Sequence, residues 1–341
     1  MALLAIEGFD HYGVNADMVR RVGMLQWVSA GGLTAGRGGV GQAIRLAWAE
    51  DPQSGVLGGN FGTVFYGFWM MGDPGTQLTF TIGESVGGRQ GYFVFDCTYG
   101  RVAYYNNAGT LLLMTTNGMF NSSVGVVVEI EFTVNATNGV AVVRLMGQPV
   151  LSLSGINTQA TSLSYQNTFS LSWAGPIGTT LTIDDWRMCD DTVGPGTYPC
   201  NGFLGDVRVA TSFASSNAAV QFTPLSNTNY VEVEGVFHGD GAYNYPTALG
   251  QSDLFGVDAL PSSVSLVMGV QVTGAYRATD SAPHTMTNNI KVGATLHQGG
   301  TIALGTTYGF YPDLYPVSPI SGVSWTPADL ASTKIGYTAV S

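Results

Sequence analysis

Charge is what this chain lacks most. Charged side chains make up 10% of its 341 residues, against about 25% in ordinary globular proteins. A surface so poor in ions is solvated by Ser, Thr, Asn and Gly, and it packs readily against copies of itself. Assembly is therefore expected. Lysine is almost missing, with only Lys291 and Lys334, and the formal net charge is −11. With no basic stripe to neutralise phosphates, nucleic acid is excluded as a partner, and the same acidity argues against an anionic membrane surface. Long apolar runs are absent too. The longest, Val124 to Val134, is broken by Glu129 and Glu131 and falls well short of the ~20 residues of a spanning helix. The opening MALLAIEGFDHYG has no basic region and too short an apolar stretch for a cleaved leader, so export by that route is not expected.

Cysteine is scarce as well. Of the three, Cys97 lies in the strand-like YFVFDC and is expected to be a small buried hydrophobe. Cys189 and Cys200 flank a loop containing Gly194, Pro195, Gly196 and Pro199. They allow either a disulfide, whose closure adds on the order of 3 kcal/mol in the chain-entropy model, or two free thiols.

What is abundant is short, alternating, β-branched and aromatic sequence. TVFYGFWMM (63–71), QLTFTIG (77–83), GYFVFDC (91–97), RVAYYNN (101–107) and TLLLMTT (110–116) are separated by Gly, Asn and Pro turns. VGVVVEIEFTV (124–134), NGVAVVRLMGQPVLSL (138–153), NTFSLSW (167–173) and TLTIDDWRM (180–188) continue the series, which predicts an antiparallel two-sheet sandwich. Its outward positions are unusually apolar. The same texture returns in FLGDVRVATSF, NYVEVEGVF, SVSLVMGVQVTGAYRA, TNNIKVGATLHQGG, TIALGTTYGFYP and KIGYTAV, predicting a second β-sandwich or jelly roll. The expected fold class is thus all-β, with domains at 1–189 and 201–341 joined by a Pro/Gly linker at 190–200. The one helical turn expected is Thr326 to Ala331, with a Thr cap and Pro327 at its first position.

Motifs with chemical meaning fail on context. Gly36, Gly38 and Gly41 spell GxGxxG, but a strand follows where a phosphate-binding turn needs a helix. Gly83, Ser85 and Gly87 spell GxSxG between two strands, whereas a nucleophile elbow joins a strand to a helix. His11, His238, His284 and His297 are scattered, and no Cys/His cluster has zinc spacing. Glu129 and Glu131 lie two apart on a strand, so both carboxylates share one face, the arrangement a glycosidase needs. A solvated outer face is the simpler reading of them, and of Glu232 and Glu234. Asp184, Asp185, Asp190 and Asp191 offer oxygen ligands to calcium, but they follow no calcium-loop spacing and strand alternation keeps all four from converging. No cofactor is expected. Trp69, Tyr104 and Trp173 are the aromatics considered for a sugar-stacking platform, and burial in the core is their alternative.

The first half resembles the concanavalin A-like/laminin-G-like lectin sandwich in its opening IEGFD, the turn-and-strand GRGGVGQAIRL, the pair VGVVVEIEFTV and GVAVVRLMGQPVLSLSG, and the closing TIDDW. The second half, through NGFLGDVRV, NTNYVEVEG, LGQSDLFGVDALP, VSLVMGVQVTGAYRA and WTPADLASTKIGY, resembles the region that accompanies such domains in virion proteins of tailed bacteriophages. The resemblance implies a structural, non-enzymatic component of the particle, assembled in the host cytoplasm as a tail or collar accessory or a capsid decoration. Its partners would be other virion proteins, copies of itself and a host surface glycan. It brings no catalytic residues with it. Two other functions stay open, a polysaccharide-degrading glycosidase resting on Glu129 and Glu131, and a pure carbohydrate-binding module.

Overall fold

The computed structural model describes residues 3–12, 32–47, 53–86, 88–191 and 202–341. Among the described residues, the first half holds fourteen strands. They are β1 (Leu3–Glu7), β2 (Leu33–Ala35), β3 (Gln42–Ala47), β4 (Gln53–Phe61), β5 (Thr63–Gly72), β6 (Gln77–Glu84) and β7 (Gly88–Asp96), followed by β8 (Arg101–Asn106), β9 (Leu111–Met114), β10 (Val126–Thr133), β11 (Gly139–Leu145), β12 (Gln148–Ile156), β13 (Gln166–Ala174) and β14 (Thr180–Asp190). Alternation drives them. In β6, Leu78, Phe80 and Ile82 are fully buried while Gln77, Thr79 and Thr81 are not, so one face of each strand seeks a core.

Two antiparallel sheets result. One runs β12-β11-β10-β5-β14-β3-β2, with β1 also paired to β14, and the other runs β4-β13-β6-β7-β8-β9. Their inner faces share a single core. At its centre Trp186 stacks on Phe68 (5.5 Å between ring centroids) and Phe169 (5.0 Å), and Phe80 lies 6.0 Å from Trp186. Two polar side chains in this core are paired. Tyr66 donates to Gln166 Oε1 at 2.8 Å, and Gln166 Nε2 donates to the Phe132 carbonyl at 2.7 Å.

β14 carries the feature that organises the rest. Against β5, Asp184 pairs with Trp69 but Arg187 pairs with Gly67, so β14 spends one more residue than its partner. This is a β-bulge, and Asp185 sits in it at φ 52°. The extra residue re-phases the strand. Ile183 points inward before the bulge, and Trp186 and Met188 point inward after it, an impossible set for an unbroken period of two.

The second half adds β15 (Ala214–Ala219), β16 (Thr223–Pro224), β17 (Asn244–Tyr245), β18 (Ser252–Val257), β19 (Val270–Tyr276), β20 (Thr285–Val292), β21 (Thr295–Ala303), β22 (Gly309–Tyr315) and β23 (Thr333–Ala339). β15-β18-β23-β20-β21 form an antiparallel sheet, while β19 pairs with β22 and β16 with β17. The fold is all-β, as its alternation predicts. The short helix α1 (Pro327–Ala331) forms where expected, with Thr326 Oγ1 accepting from the Asp329 N–H at 3.1 Å and Asp329 Oδ2 accepting from the Thr326 N–H at 2.9 Å.

Three segments depart from the strand reading. FLGDVRVATSF is irregular up to Phe213 and lies across the outer face of the eight-stranded sheet. There Phe203 meets Phe65 edge-on at 5.3 Å, and the Arg144 guanidinium sits 3.9 Å over the Phe203 ring. NYVEVEGVF is a run of turns. Its Glu232 folds back to accept from the backbone N–H groups of Ser226 and Asn227, which holds the segment in a local loop instead of a ladder. In SVSLVMGVQVTGAYRA only β19 is a strand.

The apolar outward positions are thereby accounted for. Leu3, Cys189, Ile6 and Phe65 pack beneath Leu204, Met268 and Leu314 of the second half, so this outer face is an interior one. Cys97 and Cys189 are buried. Cys200 and most of the 190–200 linker lie outside the described residues, and the Cys189–Cys200 bridge with them.

Candidate functional site

The aspartates of β14 divide into two groups. Asp184 and Asp185 meet at the bulge, whereas Asp190 ends the strand and Asp191 follows it, exposed. Asp184 Oδ2 accepts from the Arg37 N–H and its Oδ1 from the Asp185 N–H, both at 2.7 Å. Burial, reinforced by the charge of Asp185, pushes its carboxyl up to about 6 against those two donors. Asp185 Oδ1 accepts from the Val209 N–H at 2.8 Å and its Oδ2 lies 3.4 Å from Arg37 Nη1. Arg37 also grips Asp206 through both nitrogens, at 2.6 and 2.9 Å, and these bonds hold the Asp206 carboxyl below its ordinary value. Among the described residues no group of three or more His, Cys, Asp or Glu side chains is placed to hold a metal ion. The cluster is a latch that fastens residues 205–209 onto the sandwich.

Glu129 belongs to the same latch. It is 2% exposed, and its Oε1 accepts from the Gly205 N–H at 2.7 Å, 3.8 Å from Arg187 Nη2. A solvated outer face is therefore the wrong description of this residue, because the second half covers it. Glu131, half-buried nearby, is raised by burial against the pull of Arg144. Arg187 donates to the Gly205 carbonyl at 2.6 Å and to that of Asp185 at 3.2 Å. Gly67 makes room for it, since a Cβ there would lie 2.6 Å from Arg187 Cζ and Nε. Gly67→Ala is expected to displace the guanidinium and free the Gly205 carbonyl, costing about 1–3 kcal/mol. Limited proteolysis should then cut within 203–213 at least ~10-fold faster than in the parent, and an unchanged rate would refute the latch.

The remaining motifs stay structural. Arg37–Gly39 form a single 3-10 turn ahead of β3, and Ser85 sits in the β6–β7 hairpin with its N–H on Asn167 Oδ1. Glu232 and Glu234 lie on turns, not on a strand. Tyr104 is fully buried and Trp69 nearly so, which removes two of the three aromatics considered for a platform. Trp173 alone keeps part of its surface.

With one outer face covered by the second half, the other is open among the described residues. On it the pairing of β7 with β8 sets Tyr92 opposite Tyr105, Val94 opposite Ala103 and Asp96 opposite Arg101. Tyr92 and Tyr105 stack at 4.8 Å and 4°, and the Arg89 guanidinium lies 4.4 Å over Tyr92. Beside them Asp96 Oδ2 accepts from Arg101 Nε at 3.1 Å. Gln77 and Met114 complete a depression of about 240 Å³. The two rings cover each other and Arg89 covers Tyr92, while Asp96, 3% exposed, is held by the Thr98 N–H and Arg101. The depression is thus lined by the stacked pair, Val94 and Met114 beside the Arg101 guanidinium. Tyr92 and Tyr105 escape a reading of the sequence because only the strand pairing brings them side by side.

A second concavity is larger. A hollow of about 810 Å³ lies between the sandwich and the sheets of the second half.

No protein-family model matches this chain, and no curated protein matches it. Among solved structures it is similar to the lectin UEA-II complexed with galactose (11% identity, 54% of this chain and 98% of that one, TM-score 0.34). It is similar also to the galectin LEC-6 of Caenorhabditis elegans (9%, 42% and 94%, TM-score 0.30) and to the alginate lyase Aly36B (10%, 43% and 79%, TM-score 0.30). Scores this low transfer no residue role from those proteins to this one.

Proposed function

We propose that this chain is a non-enzymatic virion surface protein, present in several copies, whose first sandwich offers its open face to a host surface glycan. The observation that carries the glycan reading is the parallel Tyr92–Tyr105 pair beside Asp96 and Arg101, on the sandwich face left uncovered. A pyranose ring has an apolar C–H face and a rim of hydroxyls, which the apolar lining of this depression and the Gln77 and Arg101 side chains beside it suit. The virion assignment is supported by the resemblance of residues 201–341 to phage tail and capsid proteins and by the low charge, which suits packing among copies. The bond from the Gly205 N–H to Glu129, beneath the second half, supports this reading over a glycosidase built on Glu129 and Glu131.

The test is binding of the intact chain to a glycan array and to host cells. Tyr105→Ala removes a partly buried ring and should weaken binding by about 2- to 10-fold, the ~0.5–1.5 kcal/mol of an aromatic contact, while loss of its stack on Tyr92 lowers the melting temperature by only a few degrees. Tyr104→Ala, by contrast, should unfold the sandwich. Absence of the chain from purified particles would refute the virion assignment, and array binding that Tyr105→Ala leaves intact would refute the site.

A further inference from the structure

The open sheet differs in charge from the rest of the chain. Among the described residues its strands, β4, β13, β6, β7, β8 and β9, hold four charged side chains, Glu84, Arg89, Asp96 and Arg101. Both carboxylates are withdrawn. Glu84 is buried with its Oε2 on the Val86 N–H at 2.7 Å, and Asp96 is buried between the Thr98 N–H and Arg101. Both guanidiniums reach solvent, since Arg89 is exposed and the Arg101 side chain keeps 29% of its surface. Asp73, on the turn before β6, accepts from the Thr180 N–H at 2.7 Å. The accessible charge of this sheet is therefore positive, in a chain of net charge −11. Salt makes that local balance decisive, because screening over ~8 Å at physiological ionic strength removes most of the field of carboxylates farther off.

The two cations bracket the depression. Arg101 stands at one end, beside Gln77 and Met114. Arg89 lies 4.4 Å over the Tyr92 ring and caps the Tyr92–Tyr105 stack at the other. Tyr92 and Asp96 are four residues apart on β7 and Asp96 faces Arg101, so at ~3.4 Å per residue the cations stand on the order of 14 Å apart. That is the reach of a short oligosaccharide, not of one sugar. A guanidinium has five N–H donors. The Asn107 carbonyl takes one from Arg89, and Asp96 takes those facing it from Nε and Nη2 of Arg101, so each cation keeps donors for a ligand. Its planar fork matches an oxyanion. Resting on the glycan reading above, we propose that the depression takes an acidic oligosaccharide, with a sugar face against Tyr105 and Met114 and anionic groups on Arg101 and Arg89.

The experiment titrates the full chain calorimetrically with tetragalacturonate, with its fully methyl-esterified form and with a heparin-derived tetrasaccharide, at ~50 and ~500 mM NaCl. An acidic probe should bind at least ~10-fold tighter than the neutral ester and lose that advantage at high salt. The tighter of the two acids tells carboxylate from sulfate. Arg89→Gln, at an exposed site, should weaken the acid about 3- to 10-fold and leave ester binding unchanged. Arg101→Lys keeps a cation beside the buried Asp96 but loses the fork, and it too should weaken the acid selectively. Tyr105→Ala should weaken acid and ester alike. Acid and ester bound equally, or acid binding that both arginine variants leave intact, overturns the acidic assignment and leaves the glycan reading standing. Array hits confined to neutral glycans do the same, and an oligo-dT bound as tightly as the acids would mean a general polyanion surface and overturn it too. Binding of no glycan at all fails both readings.

Discussion

Asp185→Val should destabilise this protein by about 2–4 kcal/mol, more than any other change to a polar residue of the latch. Two costs combine. Asp185 holds φ 52°, which Asp, Asn and Gly tolerate and a β-branched residue resists by roughly 1–2 kcal/mol. Its loss also strips the Val209 N–H of the acceptor at 2.8 Å, an orphaned donor worth about 1–3 kcal/mol. Relief of a carboxyl that burial has raised offsets part of the sum. Asp185→Asn keeps both the backbone freedom and the acceptor and should cost less than about 1 kcal/mol. Asp185→Gly keeps only the first and should fall between. The order Val, Gly, Asn, measured as shifts in urea midpoint at constant slope, is the signature of the bulge. If Val proves as mild as Asn, the left-handed conformation is not what sets the strand. The stake is large because the bulge decides which way Trp186 points, and Trp186 is the centre of the aromatic stack.

The period-two pattern carried most of the first half, and the reasons for its failures are specific. Strands such as β6 and β10 are read directly because their inward residues are large and uninterrupted. TIDDW is read correctly as a closing strand, yet its bulge is visible only on noticing that Ile183, Trp186 and Met188 cannot share a face at period two. NYVEVEGVF alternates as well as any strand, but Glu232 satisfies nearby backbone N–H groups by itself, and local hydrogen bonding of this kind competes with a ladder. In RVAYY either tyrosine could face outward. The strand's phase buries Tyr104 and leaves Tyr105 at the surface, and the pairing with Tyr92 belongs to the register.

The covered face and the open face explain one another. A sandwich whose eight-stranded sheet is buried under Leu204, Met268 and Leu314 has one sheet left for contact, and there the aromatic and charged side chains gather. The apolar outward residues of the first half and the low charge of the chain thus have separate causes. The first reflects docking within the chain, and the second is a property of the solvated surface that remains.

Lowering the pH from about 7.5 to about 5 should stabilise the protein, the reverse of ordinary acid sensitivity. Asp184 drives this. Its folded carboxyl titrates at about 6 against an ordinary value of 3.8, so the folded state binds a proton more readily than the unfolded chain, and stability rises as pH falls through 6 and levels off below 3.8. At about 1.36 kcal/mol per pH unit the gap caps the gain at about 3 kcal/mol, and solvent screening reduces it to about 1–2 kcal/mol. The surrounding charges decide the window. Asp185 and Glu131 are also raised by burial and add to the same trend. Asp206, held low by Arg37, contributes stability that is lost only as pH drops below the ordinary carboxylate range, so it limits the gain at the acid end. Asp184→Asn removes the titrating group. Whatever its absolute stability, the slope of unfolding free energy against pH between 7.5 and 5 should be flatter than in the parent. An equal slope in the two proteins would show that the bulge carboxylate is not the proton acceptor.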